Sequence, residues 1–560
     1  MHSHSDQAEI QRIGQALQQA EKNRNVDAQI RLYRKLRRIT PNVPLVAAQL
    51  AHLLFQQGVD DEAHQHAIDA LAQAPQVKVD SMLFPHFYVR ERYKTNLTQA
   101  KEWYLKEPNL LRFKLYHQAL TYAGSSHADM EAMLHGALER FTQADEQSQV
   151  LSLLGQAYYA QGRFHDTIAC YQLGLQMTPK HRSQLLNMAV ALEQVGRYSE
   201  SLEYYKQLLA MEPDHAGVHN NIAITLLKLG QFEAGWEHYE WRWKAARADL
   251  YHQFNIPRWA GEPLQGKTLL VWGEQGIGDH IMFASTLNEL QHRVGNPEQL
   301  HYEIYARLDT LFQRSFPNVN FIRSEEHGEL EIGGKKLFKQ SWPRSDLQIP
   351  AGSLMGIFRP SLESFPKQAS FLKADPEQTQ AVRSQYQSLF PGKRLIGVSW
   401  RGGRTVNTEM QTRLVGFEAL QQLAACTGVQ LIDLQYDSTP EELARAAELG
   451  VPMFHDDNVD ARLDMDPQAS QISALDAVIS IDNTTIHLAG ALGVPTYVLV
   501  PLNPNWRWGL EEGQSHWYPS VQVFRNRALG DWREPVARVI TALESDGLIP
   551  NQAHSQGGLA

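Results

Sequence analysis

Two stretches of this chain carry residues whose types and spacing can do chemistry. In TLLVWGEQGIGDH a short apolar run leads into Gly273, Gly276 and Gly278 and then Asp279. The spacing GxxGxG is not the dinucleotide fingerprint GxGxxG, which argues against an NAD site. A bare backbone at Gly276 and Gly278 lets a substrate approach the start of the helix that follows. Asp279 has two readings: a helix N-cap, a role Asp fills well, or the carboxylate that takes a proton from an attacking hydroxyl. The sequence alone favours the cap, and a helix N-terminus keeps the carboxylate ionised in either case. Glu274 is a second carboxylate in the same loop.

The other stretch is VISIDNTTIHLAGALG, in which AVISI runs into Asp482, Asn483, Thr484 and Thr485, with His487 one turn into the next helix. Hydroxyls and unpaired amides at a helix start hold a phosphate. The plain alternative is a capping segment with a packed histidine. Gln435 and Tyr436 follow the strand LIDLQY, where a base or ribose can stack and hydrogen-bond. Asp464-Met465-Asp466 spells DxD, a metal motif elsewhere, but a solvated acidic loop is the commoner meaning.

These motifs need strand–loop–helix junctions to hold them. From Lys267 onward short apolar runs alternate with helix-length segments: TLLVW, HYEIYA, NVNFIR and DLQIP, then RLIGVSW, VQLIDLQY, VPMFH, AVISI, TYVLV and VQVFR. That alternation predicts parallel sheets covered on both faces, in two tandem units at 267–385 and 390–545. Ligands of such sheets sit beyond the carboxyl ends of the strands, where both motifs fall. Residues 247–266 read as a connector and 546–560 as a disordered tail.

The N-terminal half has a different grammar. Gly162, Gly196 and Gly230 are 34 residues apart, as are Tyr171, Tyr205 and Tyr239, and the prolines pair the same way at 41/75 and 179/213. This is the period of the tetratricopeptide repeat (TPR), with glycine turning between helices, an aromatic packing on the next unit and proline ending the second helix. The array is predicted over 8–246 as an α-superhelix that binds an extended partner, with three degenerate repeats between Pro75 and Pro179. Asn187 and Asn221 keep the 34-residue step, and an amide can grip a peptide backbone of any sequence. A solvated helix face is the equal alternative. Trp236, Trp241 and Trp243 are expected to seal the end of the solenoid.

Composition sets the outer limits. The 560 residues carry 62 acidic and 52 basic side chains, a net charge of −10, which argues against a nucleic-acid binder led by phosphate contacts. Two cysteines are too few for a disulfide framework or a thiolate metal cluster. No apolar run approaches the roughly 20 residues of a membrane helix, and the N-terminus lacks a secretory profile. A cytoplasmic setting is the expectation.

The motifs together resemble known enzymes. Two tandem α/β units with a cleft resemble the GT-B glycosyltransferase architecture. The Gly278-Asp279 helix start with DNTTIHLAGALGVP resembles the ADP-heptose:lipopolysaccharide heptosyltransferase superfamily. That resemblance implies Asp279 as base, 482–487 as the donor-phosphate loop, and Arg401 (in SWRGG) and Arg413 as donor-site residues. EAGWEHYEWRW, PRWAGEPLQGKTLLVWGEQGIGDHIMF and PNWRWGLEEGQSHWYPSVQVFRN are similar to bacterial TPR-glycosyltransferases, some of which attach nonulosonic acids such as pseudaminic acid to flagellin. The asparagine pair resembles the ladder of O-GlcNAc transferase. The implied fold is an N-terminal TPR α-superhelix followed by a two-lobed GT-B (double Rossmann-like) module. The implied activity is metal-independent, inverting transfer of a sugar to Ser or Thr of a protein such as flagellin. The co-substrate is a nucleotide-sugar, CMP-linked by preference, with no further cofactor. Two alternatives stand beside it: a lipopolysaccharide or glycan transferase, and a non-catalytic TPR adaptor with a vestigial GT-B module.

Overall fold

The computed structural model describes residues 4–23, 25–57, 59–73, 93–106, 108–244, 255–274, 276–324, 329–332, 335–338, 342–402, 413–528 and 530–551. The chain divides into two compact units, Met1–Gln184 and Leu185–Ala560.

The first unit is helical throughout its described residues, in the antiparallel pairs that the 34-residue step predicts. In the pair Ala144–Ala160 and Phe164–Met177 the repeat logic is visible in atoms. Gly162 turns between the helices at φ +73, a conformation that favours glycine. A Cβ on Gly155 would stand 2.6 Å from the Tyr171 ring, so the small residue and the aromatic meet because the former has no side chain. The degenerate stretch forms helices Tyr93–Lys106, Leu110–Tyr122 and His127–Arg140. Tyr104 packs there against Phe113 with ring centroids 5.5 Å apart, whereas Ala132 is exposed. Pro75 lies outside the described residues.

The second unit starts inside the repeats. Helices Tyr198–Met211, Ala216–Lys228 and Phe232–Tyr239 continue the pattern, with Gly196 and Gly230 at φ +78 and +72 and Ala189, Ala223, Tyr205 and Tyr239 buried. Two sheets follow. The first has order β3-β2-β1-β6, built from β1 (Leu269–Trp272), β2 (Leu300–Tyr305), β3 (Asn320–Ser324) and β6 (Leu347–Pro350), all parallel. Between β3 and β6 the hairpin of β4 (Glu329–Ile332) and β5 (Lys335–Phe338) stands apart; its charged sequence hid it from a reading based on apolar runs.

The second sheet has order β12-β13-β11-β10-β7-β8-β9. Its strands are β7 (Arg394–Ser399), β8 (Val429–Asp433), β9 (Met453–Phe454), β10 (Ala477–Ile481), β11 (Thr496–Val500), β12 (Gly513–Gln514) and β13 (Val521–Arg525). All pair in parallel except β12, which runs antiparallel to β13. The central strands are buried along their whole length, as two-sided parallel sheets require. Helix Pro376–Leu389 packs on this second sheet although it begins within 267–385: Tyr386 donates to Asp456 at 2.8 Å and Arg383 pairs with Asp476. Of the segment 546–560, Leu548 and Ile549 pack in the core against helix Arg533–Ser545, and 552–560 lie outside the described residues.

The last repeats are bonded into the α/β body. Trp236 donates to the Arg359 carbonyl at 2.7 Å, and Trp243 packs on Trp272. Trp241 does not join this seal; it stacks on His219 within the repeat, at 3.9 Å. Arg242 grips the fully buried carboxylate of Glu274 through two nitrogens, at 2.8 and 2.9 Å, and Glu274 also accepts from the Gly352 amide at 2.6 Å. One ion pair thus ties the last repeat, the loop after β1 and the end of β6. Removing one partner of a buried pair strands the other charge, which costs about 3–5 kcal/mol. Arg242→Ala is therefore expected to lower the unfolding free energy of the 185–560 unit by an amount of that order, seen as a lower urea midpoint in tryptophan fluorescence. An unchanged midpoint would remove the pair from the supports of the fold.

Candidate functional site

In the second sheet the chain winds outward from β7 through β8 to β9 on one side, and through β10, β11 and β13 on the other. A crevice opens where such a winding reverses, at the carboxyl ends of β7 and β10. Asn483 spans it: its amide nitrogen donates to Ser399 Oγ at 2.7 Å and to the Arg401 carbonyl at 3.1 Å. Its Oδ1 caps the Thr485 amide at 3.0 Å. The other first-turn amides of this nine-residue helix, Thr484–Leu492, have no carbonyl partner within the helix. A cavity of about 240 Å3 opens here, lined by Ile277, Arg307, Arg401, Gln435, Tyr436, Asn483, Thr484 and Thr485 among others.

The structure thus gathers six residues singled out from the sequence, but their duties differ. Tyr436 is exposed and free to lie against a planar group. Gln435 is buried and accepts from Ser399 Oγ and from the amides of Trp400 and Arg401, at 3.1 to 3.2 Å. It shapes the turn after β7. Arg401 reaches the cavity wall with its charge already matched by Asp437 at 2.7 Å and by Glu442 at 2.7 and 2.9 Å. Its guanidinium orders the wall more than it offers charge to a phosphate. A neighbouring cavity of about 230 Å3 is lined by Asp433, Asp437, Asp456, Asp457 and Asp460. Burial raises the Asp433 carboxyl above its usual range, opposed by hydrogen bonds from Ser438, the Gln435 amide and His455.

The acidic DxD is neither a metal motif nor a solvated loop. Both oxygens of the buried Asp466 take Arg314 nitrogens, at 2.5 and 2.6 Å, and Asp464 accepts from the Asp466 amide. The pair joins helix Asp309–Ser315 of the first sheet to helix Asp466–Ser473 of the second.

The first motif meets the second across the sheets. Gly276, not Asp279, is the N-cap of helix Ile277–Phe283. Asp279 sits in its first turn, its amide donating to the Gly276 carbonyl at 2.9 Å. The capping reading of Asp279 is corrected: its carboxylate pairs instead with Arg507. A Cβ on Gly278 would stand 2.8 Å from His487 Cδ2, so the absence of a side chain lets the two helix starts touch. His487 is buried, shares a hydrogen with the Tyr518 hydroxyl at 2.8 Å and stacks near Trp508. Burial first, then Arg507 and Arg413, push its pKa well below the usual value, so the ring is neutral at physiological pH. Arg413 pairs with Asp482 at 2.6 Å and also donates to the Asp482 carbonyl. Residues 403–412, including Arg404, lie outside the described residues.

Arg507 was not legible as a site residue. It lies on the short helical turn Trp506–Trp508, more than two hundred positions after Asp279, in a motif notable only for its tryptophans. Glu274 is excluded as a base by its bonds to Arg242 and Gly352. Glu303 on β2 was also missed: buried, it accepts from the Gly273 amide at 2.7 Å, and burial pushes its carboxyl up to about 7 against the opposing effect of that bond. In the repeats, Asn187 and Asn221 are half-buried on the first helices of their pairs, and Asn221 hydrogen-bonds the Tyr205 hydroxyl.

Among known proteins, a tetratricopeptide repeat family model matches residues 184–216. Protein FlbA of Caulobacter vibrioides (strain ATCC 19089 / CIP 103742 / CB 15) is 34% identical over 298 residues, covering 52% of this chain and 49% of FlbA. The chain spans about half the length of that curated relative. Two solved structures show weaker likeness. A glycosyl transferase family 9 protein from Veillonella parvula DSM 2008 is 15% identical, with TM-score 0.33, over 52% of this chain and 92% of that one. MamA MSR-1 is 18% identical, with TM-score 0.24, over 28% and 90%.

Two predictions follow from the glycine loop. Gly278→Ala is expected to displace His487, an overpacking cost of about 1–3 kcal/mol, whereas Gly276→Ala, with nothing within 4 Å of its Cβ, is expected to be nearly silent in thermal melts. Glu303 holds its proton more tightly folded than unfolded, so its contribution to stability is complete below about 4.5 and is lost as pH rises through about 7. Glu303→Gln is expected to remove that component from the pH dependence of unfolding, read as the difference between the two proteins' melting profiles from pH 4 to 8.

Proposed function

We propose that this chain is a glycosyltransferase that uses a nucleotide-sugar and takes a protein as acceptor. One observation carries the reading: the Gly278–Asp279 helix start lies directly against the helix start that runs from Asp482 to His487. A carboxylate that can take a proton is thereby placed beside amides, hydroxyls and arginines that can hold a phosphate. In this reading the module is GT-B, the first sheet and its helices presenting the acceptor and the second sheet and its helices the donor, in a cytoplasmic enzyme.

The donor's nucleoside lies over Gln435 and Tyr436, and its phosphate meets Thr484, Thr485 and the first-turn amides with Arg413 close by. Asp279 accepts the proton of a serine or threonine hydroxyl. That oxygen attacks the anomeric carbon from the face opposite the phosphate. The bond from carbon to phosphate oxygen breaks with its electron pair going to the phosphate, and the configuration inverts. Fixed dipoles and arginines meet the charge as it forms. His487, neutral and bonded to Tyr518, supports the helix start rather than shuttling protons. The repeats hold the acceptor chain, with Asn187 and Asn221 as backbone grips. The sequence resemblance makes a CMP-linked nonulosonic acid such as pseudaminic acid the first donor to try, and flagellin the first acceptor.

The test is a thermal-shift panel of CMP, UDP, GDP and ADP, then transfer to flagellin from the matching sugar donor. A ligand at one hundred times its Kd stabilises its site by about 2.7 kcal/mol, so a selective shift is expected, lost in Arg413→Ala. Asp279→Asn is expected to abolish transfer, by a factor of about 10²–10⁴ for a lost general base, while nucleotide still binds. A CMP shift identifies the nonulosonate donor, and a shift by another nucleotide moves the search to hexoses or heptoses. Silence across the panel supports the adaptor instead.

A further inference from the structure

The ion pair between Asp279 and Arg507 sits badly with a simple general base. A carboxylate bound to a guanidinium is a poor proton acceptor, because the neighbouring positive charge favours the ionised form. The two arginines at the meeting of the helix starts are both already matched, Arg413 by Asp482 and Arg507 by Asp279. A phosphate entering this buried place must therefore draw a guanidinium away from a carboxylate or stay uncompensated, which a low-dielectric site penalises.

The two pairs are not equally fixed. Arg413 holds both the side chain and the main-chain oxygen of Asp482, which is itself buried at the end of β10. Arg507 holds Asp279 through one terminal nitrogen, gives the other to Asn505 Oδ1 at 2.6 Å, and leaves its buried Nε without any partner among the described residues. A guanidinium carries five donors in a planar fork, and this one has a donor unspent in a place shielded from water. Its guanidinium lies over the face of Trp506, 4.7 Å from the ring centroid, and the adjoining Trp508 packs near His487.

We propose that Arg507 is a switching ligand of the donor phosphate: it leaves Asp279 when the phosphate arrives, and so frees the base only in the loaded enzyme. This rests on the nucleotide-sugar reading above. In the unloaded protein Asp279 is masked by Arg507. On donor binding the fork pairs with phosphate oxygens through the donors that Nε and the terminal nitrogens offer in one plane. Asp279, unmasked, takes the acceptor's hydroxyl proton as its oxygen bonds to the anomeric carbon and the phosphate departs with the electron pair.

The test is isothermal titration of the full-length protein with CMP, UDP, GDP and ADP, following whichever binds the wild type. If Asp279 competes with phosphate for Arg507, its removal strengthens nucleotide binding: Asp279→Asn is expected to bind about tenfold more tightly, the size of one charge-assisted hydrogen bond no longer contested. Arg507→Gln is expected to bind about tenfold more weakly, and the double variant Asp279→Asn/Arg507→Gln to bind as Arg507→Gln alone. Asp279→Ser, read in the same way, serves if the asparagine variant does not fold. Asp279→Asn binding as wild type or more weakly overturns the switch. So does tightening that persists when Arg507 is glutamine, since it would then be mere removal of a negative charge. Both of those results leave the nucleotide-sugar reading standing, whereas a wild type that binds none of the four nucleotides removes that reading and the switch with it.

Discussion

The contact between Gly278 and the His487 ring is what the candidate site depends on. Each of the two sheets ends its strands in loops that would be ordinary helix starts by themselves. Only the missing Cβ at Gly278 allows the helix after β1 and the helix after β10 to meet. Asp279 then lies within reach of Arg507, and Asp482 and Thr484 face the same space. His487 can fill this junction because it is uncharged. A protonated imidazole buried beside two arginines would be heavily penalised, and burial above all, with the arginines, holds it neutral.

Strand positions were readable because two-sided parallel strands are short apolar runs, and every such run from Leu269 onward became a strand in one of the two sheets. The repeats were readable because close helix crossing needs a small residue opposite an aromatic, as Gly155 and Tyr171 show. What stayed hidden has a common cause, in that it depends on distance in space between residues far apart in sequence. Arg507 matters through Asp279, Asp466 through Arg314, and Glu274 through Arg242. Spacing within a motif says which residue could act, but the partner that employs it lies in another element. Arg401 is the converse case: it lines the cavity, yet Asp437 and Glu442 already claim its charge.

The second unit also binds its repeats through polar groups shielded from water. Lys228 in the last repeat pairs with Glu193 at 3.3 Å and donates to Asn503 at 2.8 Å, and Tyr198 donates to the same Asn503 oxygen. Glu193 further accepts from Thr225 and Tyr205. Asn503 belongs to the loop that continues into Trp506, Arg507 and Trp508. The loop that carries the partner of Asp279 is therefore set from the repeat side at one end and from the site at the other. Satisfied networks of this kind specify one arrangement, since any slip would leave a buried donor or acceptor unpaired.

The second compact unit opens at Leu185, midway through the repeat array. The helices up to Tyr239 fold with the sheets, since Phe232, Trp236 and Tyr239 share one buried cluster with Leu269 and Val271 of β1. Exchanging these helices for those of another repeat protein would therefore cost packing inside the α/β body itself.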